Sequence, residues 1–126
     1  MVFSEDVNQR KRAATFLEEE FNRLEDKETA GKDLHSLTND QDTNVRRKAA
    51  DTLGSAFQYV PDKETAGKDL HSLTNDQDND VRSGTAYALG SAFQHVPDKE
   101  TAWKDLIKLA SDKDTIVRSG AAYALG

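Results

Sequence analysis

Apolar residues in the middle of the chain recur at helical spacing in two separate stretches. Steps of three and four residues, which place side chains on one face of a helix, connect a first group, Ala66, Leu70 and Leu73. A second, longer run keeps the same steps and consists of Val81, Thr85, Leu89, Ala92 or Phe93, and Val96. The segment Thr74–Gln77 between them contains turn-forming residues and no apolar side chain. This pattern predicts a unit of two helices joined by a tight turn, with the second helix (helix B) longer than the first (helix A).

Residues that commonly begin helices precede both helices of this unit, and a residue that commonly interrupts helices lies inside the second. Asp62 and Asp78 stand where each helix starts, and aspartate is a favoured N-cap. Gly90 lies inside the second helix, where glycine costs roughly 1 kcal/mol relative to alanine. It is either a close-packing point in one continuous helix or a kink followed by a last turn over Ser91–Val96. We favour the continuous helix, with the same interpretation for Gly54, because the later apolar residues keep the helical phase.

The unit recurs along the chain with a fixed period. The segment DKETAGKDLHSLTNDQD begins at Asp26 and again, letter for letter, at Asp62, 36 residues later, and a variant begins at Asp98. A period of 20–50 residues is typical of solenoids, in which neighbouring units bury each other's apolar faces. We predict one domain over 1–126, divided into an N-terminal half-repeat and cap helix (1–25), repeat 1 (26–61), repeat 2 (62–97) and a truncated repeat 3 (98–126).

Composition narrows the class of protein. Charged residues make up 32% of the chain and the net charge is −6, which disfavours a whole face built for nucleic acid or anionic lipid. The chain has no cysteine, which excludes disulfides and thiolate metal sites. No charge-free stretch is long enough to span a membrane, and Met1–Arg12 lacks the apolar core of a signal peptide. We expect a cytoplasmic protein with no membrane partner.

The second half of each unit carries a recognisable motif. It stands as DQDTNVRRKAADTLG, DQDNDVRSGTAYALG and DKDTIVRSGAAYALG. This motif resembles the HEAT-like repeat of the phycobilisome-lyase (PBS lyase) type. The resemblance implies an all-α, right-handed, armadillo-like α-solenoid of about seven helices that serves as a scaffold or adaptor. The units here are longer than is common in that family.

Candidate catalytic chemistry is absent from the sequence. The lyase activity of some family members has no catalytic residue that maps onto this chain, and no nucleophile motif or Gly-rich phosphate loop occurs. We therefore expect no enzymatic activity and no cofactor.

Four arginines recur at one period, and stacked repeats would align them as a ladder: Arg10, Arg46, Arg82 and Arg118. They could form an anion-binding row. They could instead pair, as the resemblance implies, with the turn aspartates of their own or the next repeat, namely Asp42, Asp78 and Asp114. We favour the structural role, because arginine suits fixed multidentate pairing with carboxylates.

Two patterns suggest metal binding only weakly. His35 and His71 occupy equivalent positions, but Ile107 takes that position in the third repeat, so we expect a half-buried packing site. A zinc site would need further ligands. The segment Asp76–Asp80 begins like a calcium loop but lacks the required glycine and glutamate, so we interpret its aspartates as helix caps and predict no metal site.

All differences between the first two full repeats fall on helix B or its ends. They are Thr43, Asn44, Arg47, Lys48, Ala49, Asp51, Thr52 and Tyr59, against Asn79, Asp80, Ser83, Gly84, Thr85, Tyr87, Ala88 and His95. In HEAT-like stacks helix B lines the concave surface. We therefore predict a partner-binding surface for a protein or extended peptide, formed by Arg47, Lys48, Asp51, Ser83, Tyr87, Ser119 and Tyr123. Neutral change after a recent duplication is the alternative, and the two tyrosines could equally cover a neighbouring helix.

Basic runs on the first B helices offer a second functional hypothesis. Arg10–Arg12 and Arg46–Lys48 would be neighbours in a stack and could bind nucleic acid or phosphate. The runs are absent from the later repeats, and the net charge opposes this hypothesis, so we regard nucleic acid as an unlikely partner.

The two ends of the array differ. At the N-terminus, Phe3 precedes Ser4, which we expect to cap the first helix. The last helix stops at Gly126, where earlier units continue with SAFQ. The chain is therefore either part of a longer array or able to associate head to tail through its open C-terminal end. Trp103 replaces a glycine of helix A and is either a convex-side packing residue or an exposed contact, of which we favour packing.

Overall fold

The computed structural model describes residues 4–126, which form seven α-helices and no strand. Helices A and B alternate along the chain. Each helix A has 11 residues, and the first three B helices have 14 residues each. The helices are α1 (Val7–Glu20), α2 (Lys27–Leu37), α3 (Thr43–Ala56), α4 (Lys63–Leu73), α5 (Asn79–Ala92), α6 (Lys99–Leu109) and α7 (Thr115–Leu125). The predicted all-α solenoid with seven helices is confirmed.

Aspartate side chains cap every helix. The backbone N–H of Thr65 donates to Asp62 over 3.0 Å, and Asp78 accepts from the first turn of α5, as predicted. At the N-terminus the prediction was wrong, because Asp6 rather than Ser4 caps α1. Asp6 lies one period before Asp42, so the first helix keeps the cap position of the repeat. Phe3 lies outside the described residues.

Helix B passes through its glycine without a break and then tightens. In α3 and α5 the α-helix continues two residues beyond Gly54 and Gly90 before a 3₁₀ turn closes it. A methyl group on Gly54 would lie 2.7 Å from the Cα of Ala88, so this glycine is a close-packing point between two B helices. The continuous path through the glycine therefore follows the prediction, whereas the last turn is 3₁₀ rather than α.

One apolar core runs through all repeats. Its largest buried side chains come from both helices of each unit and include Phe21, Leu34, Leu53, Phe57, Leu70, Leu89 and Leu106. The B helices α3, α5 and α7 pack closely on one another, whereas helices A of successive repeats make much sparser contact. The B helices therefore form the more closely packed layer of the array. Among the described helices, none has the length and apolar character needed to cross a membrane.

Candidate partner-binding surface

The arginine ladder joins each repeat to the next. The Nε atoms of Arg10, Arg46 and Arg82 lie 2.7–2.9 Å from a carboxylate thirty residues further on. The acceptors are Asp40, Asp76 and Asp112. The prediction that the arginines pair with Asp42, Asp78 and Asp114 was wrong. These three carboxylates instead accept backbone N–H groups in the first turn of helix B.

The geometry of the turn explains which aspartate pairs with arginine. Asp76 accepts from Arg46 Nε and Nη2, and also from the backbone N–H of Asp78, over 2.8, 3.2 and 3.0 Å. One carboxylate thereby fixes both the turn and the preceding repeat. Burial opposes ionisation of the equivalent Asp112, but hydrogen bonds from Arg82 and the backbone N–H of Asp114 hold its pKa below the usual value.

The fourth arginine of the series differs from the other three. Arg118 is exposed and donates to the carbonyl of Asp112 and the hydroxyl of Thr115. The other three donate to carboxylates, so their guanidinium groups hold repeats together. This arrangement matches the structural role of the ladder rather than a row that faces an anion.

A second ladder, which the sequence did not reveal, links the A helices. His35 Nδ1 lies 2.7 Å from Asp69 Oδ2, and His71 Nδ1 lies 2.8 Å from Asp105 Oδ2. The two histidine side chains are 49% and 51% exposed, so the expected half-buried position is present, and each ring meets a carboxylate of the next repeat. The carboxylates are only 8% and 5% exposed, and burial raises the pKa of Asp69 although His35 opposes the shift. The sequence feature that could have predicted these pairs is a histidine followed 34 residues later by an aspartate, which occurs twice.

A row of repeat-equivalent residues crosses the B helices. Asp51, Tyr87 and Tyr123 occupy the same position on α3, α5 and α7, and all three are exposed. The tyrosines retain 45% and 77% of their accessible surface. Their ring centroids are 5.5 Å apart with an interplanar angle of 53°, so the two rings form one aromatic patch.

Asp51 and Tyr87 each lie against a glycine of the next B helix. A methyl group on Gly120 would lie 3.2 Å from Cε2 of Tyr87, and one on Gly84 would lie 3.2 Å from Asp51 Oδ1. Tyr87 therefore lies against α7 along one edge while its exposed part faces solvent. The alternative that this tyrosine covers a neighbouring helix is confirmed for one edge of its ring, whereas its part in a partner-binding surface stays a prediction.

The other predicted surface residues divide into two groups. Arg47 and Ser119 are exposed on α3 and α7. Ser83 is buried between B helices, and Lys48 is half-buried with its Nζ 3.4 Å from Glu18. The prediction that Ser83 forms part of an open surface was wrong, whereas the Lys48 side chain stays 41% exposed and its part in partner binding stays a prediction.

The candidate metal ligands have other roles. Asp76 belongs to the arginine ladder, and Asp78 caps α5. Within residues 4–126, the structure contains no group of three or more His, Asp or Glu side chains positioned to hold a metal ion.

The sequence comparison identifies the class of protein. A model of HEAT repeats matches residues 3–90, which is more than half of the chain, and the chain therefore belongs to the HEAT repeat family. A comparison with curated proteins finds no match. HEAT repeats generally mediate protein–protein interactions, and the family typically consists of non-catalytic scaffolds.

Proposed function

We propose that this chain is a non-catalytic scaffold whose helix-B surface binds a partner protein through an extended segment. The observation that carries the proposal is the exposed aromatic patch of Tyr87 and Tyr123, flanked by Asp51 and Arg47. Tyrosine and arginine are enriched at the energetic centres of protein interfaces. The partner would bury the two rings and bond the flanking charged groups.

The row also sets the direction of the bound segment. Asp51, Tyr87 and Tyr123 lie on successive B helices, which pack about 8–10 Å apart. A segment that follows the row crosses the helices rather than running along one of them. An extended chain rises about 3.3 Å per residue, so contacts would recur about every three residues.

A photo-crosslinking amino acid placed at Tyr123 tests the surface directly. In lysate of the source cell, we expect this bait to give a discrete protein adduct that is absent when the crosslinker replaces Trp103 on α6. The variant Tyr87→Ala/Tyr123→Ala should lose retention of the same protein at least tenfold. Tyr59→Ala is the matched control, because Tyr59 is an exposed tyrosine outside the row.

Three results would count against the helix-B surface. One is equal crosslinking from Tyr123 and Trp103. Another is unchanged retention by the double variant, provided that its circular dichroism matches that of the wild type. The third is retention of nuclease-sensitive material alone, which would favour nucleic-acid binding by the basic runs of the first B helices.

A second copy of the chain is a further candidate partner. Trp103 and Ile107 are exposed on α6, and Arg118 presents its guanidinium at the same end of the array. Head-to-tail association predicts a mass in sedimentation that rises with concentration and stays monomeric in Ile107→Asp. A constant monomer mass in the wild type would exclude it.

The finer assignments belong to the same proposal. We propose the PBS lyase HEAT-like type within the family, the repeat boundaries at 26, 62 and 98, and a cytoplasmic location. The motif DQDTNVRRKAADTLG and its copies support the first two assignments.

A further inference from the structure

Two equivalent grooves lie between helices A, and no residue of the tyrosine row lines either of them. The groove between α2 and α4 has a volume of about 310 Å³, and the groove between α4 and α6 has about 420 Å³. Residues at the same repeat positions line both grooves. Gly31 and His35 border the first, and Gly67 and His71 border the second.

A glycine keeps each groove open although packing does not require it. A methyl group on Gly31 or Gly67 would meet no atom closer than 3.9 Å. Glycine inside a helix is unfavourable, and alanine would fit at both positions. In the third repeat the equivalent residue is Trp103, whose ring is exposed and lies edge-on to Phe93 at a centroid distance of 6.5 Å. The two glycines therefore leave space that the fold itself does not need.

The walls of the groove combine an apolar floor with an acidic rim. Leu53, Val60 and Pro61 line the first groove, and Leu89, Val96 and Pro97 line the second. The carboxylates of the first groove are Glu28, Asp62 and Asp69, and those of the second are Glu64, Asp98 and Asp105. Against these three carboxylates each groove has one lysine, Lys32 or Lys68, and one histidine.

The buried carboxylate of each groove retains hydrogen-bonding capacity. Among the described residues, Asp69 and Asp105 accept only from the histidine of the preceding repeat. A carboxylate can accept about four hydrogen bonds. The N-terminus of α4 also borders the first groove, but Asp62 already caps it, so the helix end does not create an anion site.

We propose that the two grooves bind two arginine side chains of a basic segment, one in each groove. The aliphatic part of an arginine matches the apolar floor, and its guanidinium matches the acidic rim. Neighbouring helices lie about 10 Å apart, which an extended chain spans in about three residues. The segment therefore has the pattern Arg-x-x-Arg. This face differs from the helix-B surface, so the two proposals stand independently.

NMR titration of the ¹⁵N-labelled chain with the peptide GSGRSGRGSG tests this proposal. We expect saturable shifts of the Gly31 and Gly67 amides and at least tenfold weaker binding when one arginine is replaced by citrulline, which has the same shape without the charge. The loss is expected because two linked arginines, each bound in its own groove, bind more tightly than one. A peptide with Glu-x-x-Glu should produce no saturable shift at these amides.

Variants of the chain separate the groove from other surfaces. Gly31→Trp/Gly67→Trp copies the third repeat and should abolish the shifts, whereas Gly31→Ala/Gly67→Ala should keep them. Asp62→Asn/Asp98→Asn preserves the caps and should weaken binding at least threefold even if the tryptophan variant fails to fold. Tyr87→Ala/Tyr123→Ala should have no effect. Equal binding of the citrulline or glutamate peptide, or shifts that survive in folded Gly31→Trp/Gly67→Trp, would overturn the proposal.

Discussion

Glycine occupies two kinds of position on the helices, and the difference lies in what a methyl group would meet. At Gly54 and Gly90 a methyl group would lie 2.7 Å and 2.8 Å from the nearest atom of Ala88 and Ala124. At Gly31 the nearest atom is 3.9 Å away. The first kind permits close approach of B helices, and the second leaves a groove open.

This contrast predicts opposite effects of the same substitution. Gly31→Ala should raise the free energy of unfolding by about 0.5–1 kcal/mol, because alanine is the better helix former and finds room. Gly54→Ala should lower it, because overpacking costs about 1–3 kcal/mol, which exceeds the gain in helix propensity. Urea denaturation measures both values. Stabilisation by Gly54→Ala would show that the B helices are not held at this distance.

The aspartate caps of helices A predict a pH dependence. The backbone N–H groups of Thr29, Thr65 and Thr101 lower the pKa of Asp26, Asp62 and Asp98. Their contribution to stability is therefore fully present above the ordinary aspartate pKa of about 3.9, and it is lost as the pH falls through the lowered pKa.

The matching experiment replaces all three caps by asparagine, which also caps helices. The Tm of Asp26→Asn/Asp62→Asn/Asp98→Asn should be close to that of the wild type at pH 7 and should fall less steeply below about pH 4. Thermal scans by circular dichroism from pH 7 to pH 2 measure this. Glu19→Gln, a change at an exposed glutamate, is the control. If the Tm of the triple variant and that of the wild type fell equally with pH, the ionised caps would not be the source of the pH dependence.

At the level of helices, contacts between repeats come from recurring polar pairs as well as from the core. Each of the first three arginines of the ladder joins the first turn of one helix B to the A–B turn of the next repeat, as Arg46 does with Asp76. Both side chains are mostly buried, at 18% and 9% exposure. Pairs in such networks are energetically coupled.

A double-mutant cycle on this pair should show coupling on the order of 1 kcal/mol. Arg46→Met keeps the apolar stem, and Asp76→Asn keeps an acceptor for the backbone N–H of Asp78. The exposed pair Glu100 and Lys104 provides the comparison and should couple much more weakly, because solvent screens it. Equal coupling in both cycles would mean that the ladder contributes no more than a surface ion pair.

For the whole molecule, stability depends on how many neighbours each repeat has. The helix α5 packs against α3 on one side and α7 on the other, whereas α7 packs against α5 and α6. In a linear array each unit is stabilised by its neighbours, so the centre should be the most stable region.

Hydrogen exchange should reveal this gradient. We expect the amides of α3 and α5 to exchange most slowly and those of α7 to exchange at least tenfold faster, because terminal units open without disturbing the centre. Mass spectrometry of exchanged peptides measures the profile. Uniform protection from α1 to α7 would instead indicate a single cooperative unit.

The sequence by itself determined the period, the order of helices and turns, and most of the caps. These features depend on local patterns, such as the spacing of Ala66, Leu70 and Leu73 or an aspartate before a helix, and the repetition made each pattern visible more than once. The exception was Ser4, where local residue type suggested a cap and the period pointed correctly to Asp6.

Only the tertiary structure decided which residues meet between repeats. Asp40 and Asp42 are two residues apart in one turn, and the packing of one repeat on the next determines that Arg10 pairs with Asp40. The same packing brings His35 to Asp69 and buries Ser83 while it leaves Tyr87 exposed. The similar sequences of the copies determine the helices and turns of each repeat, but the packing of one repeat on the next determines which of its side chains remain available to a partner.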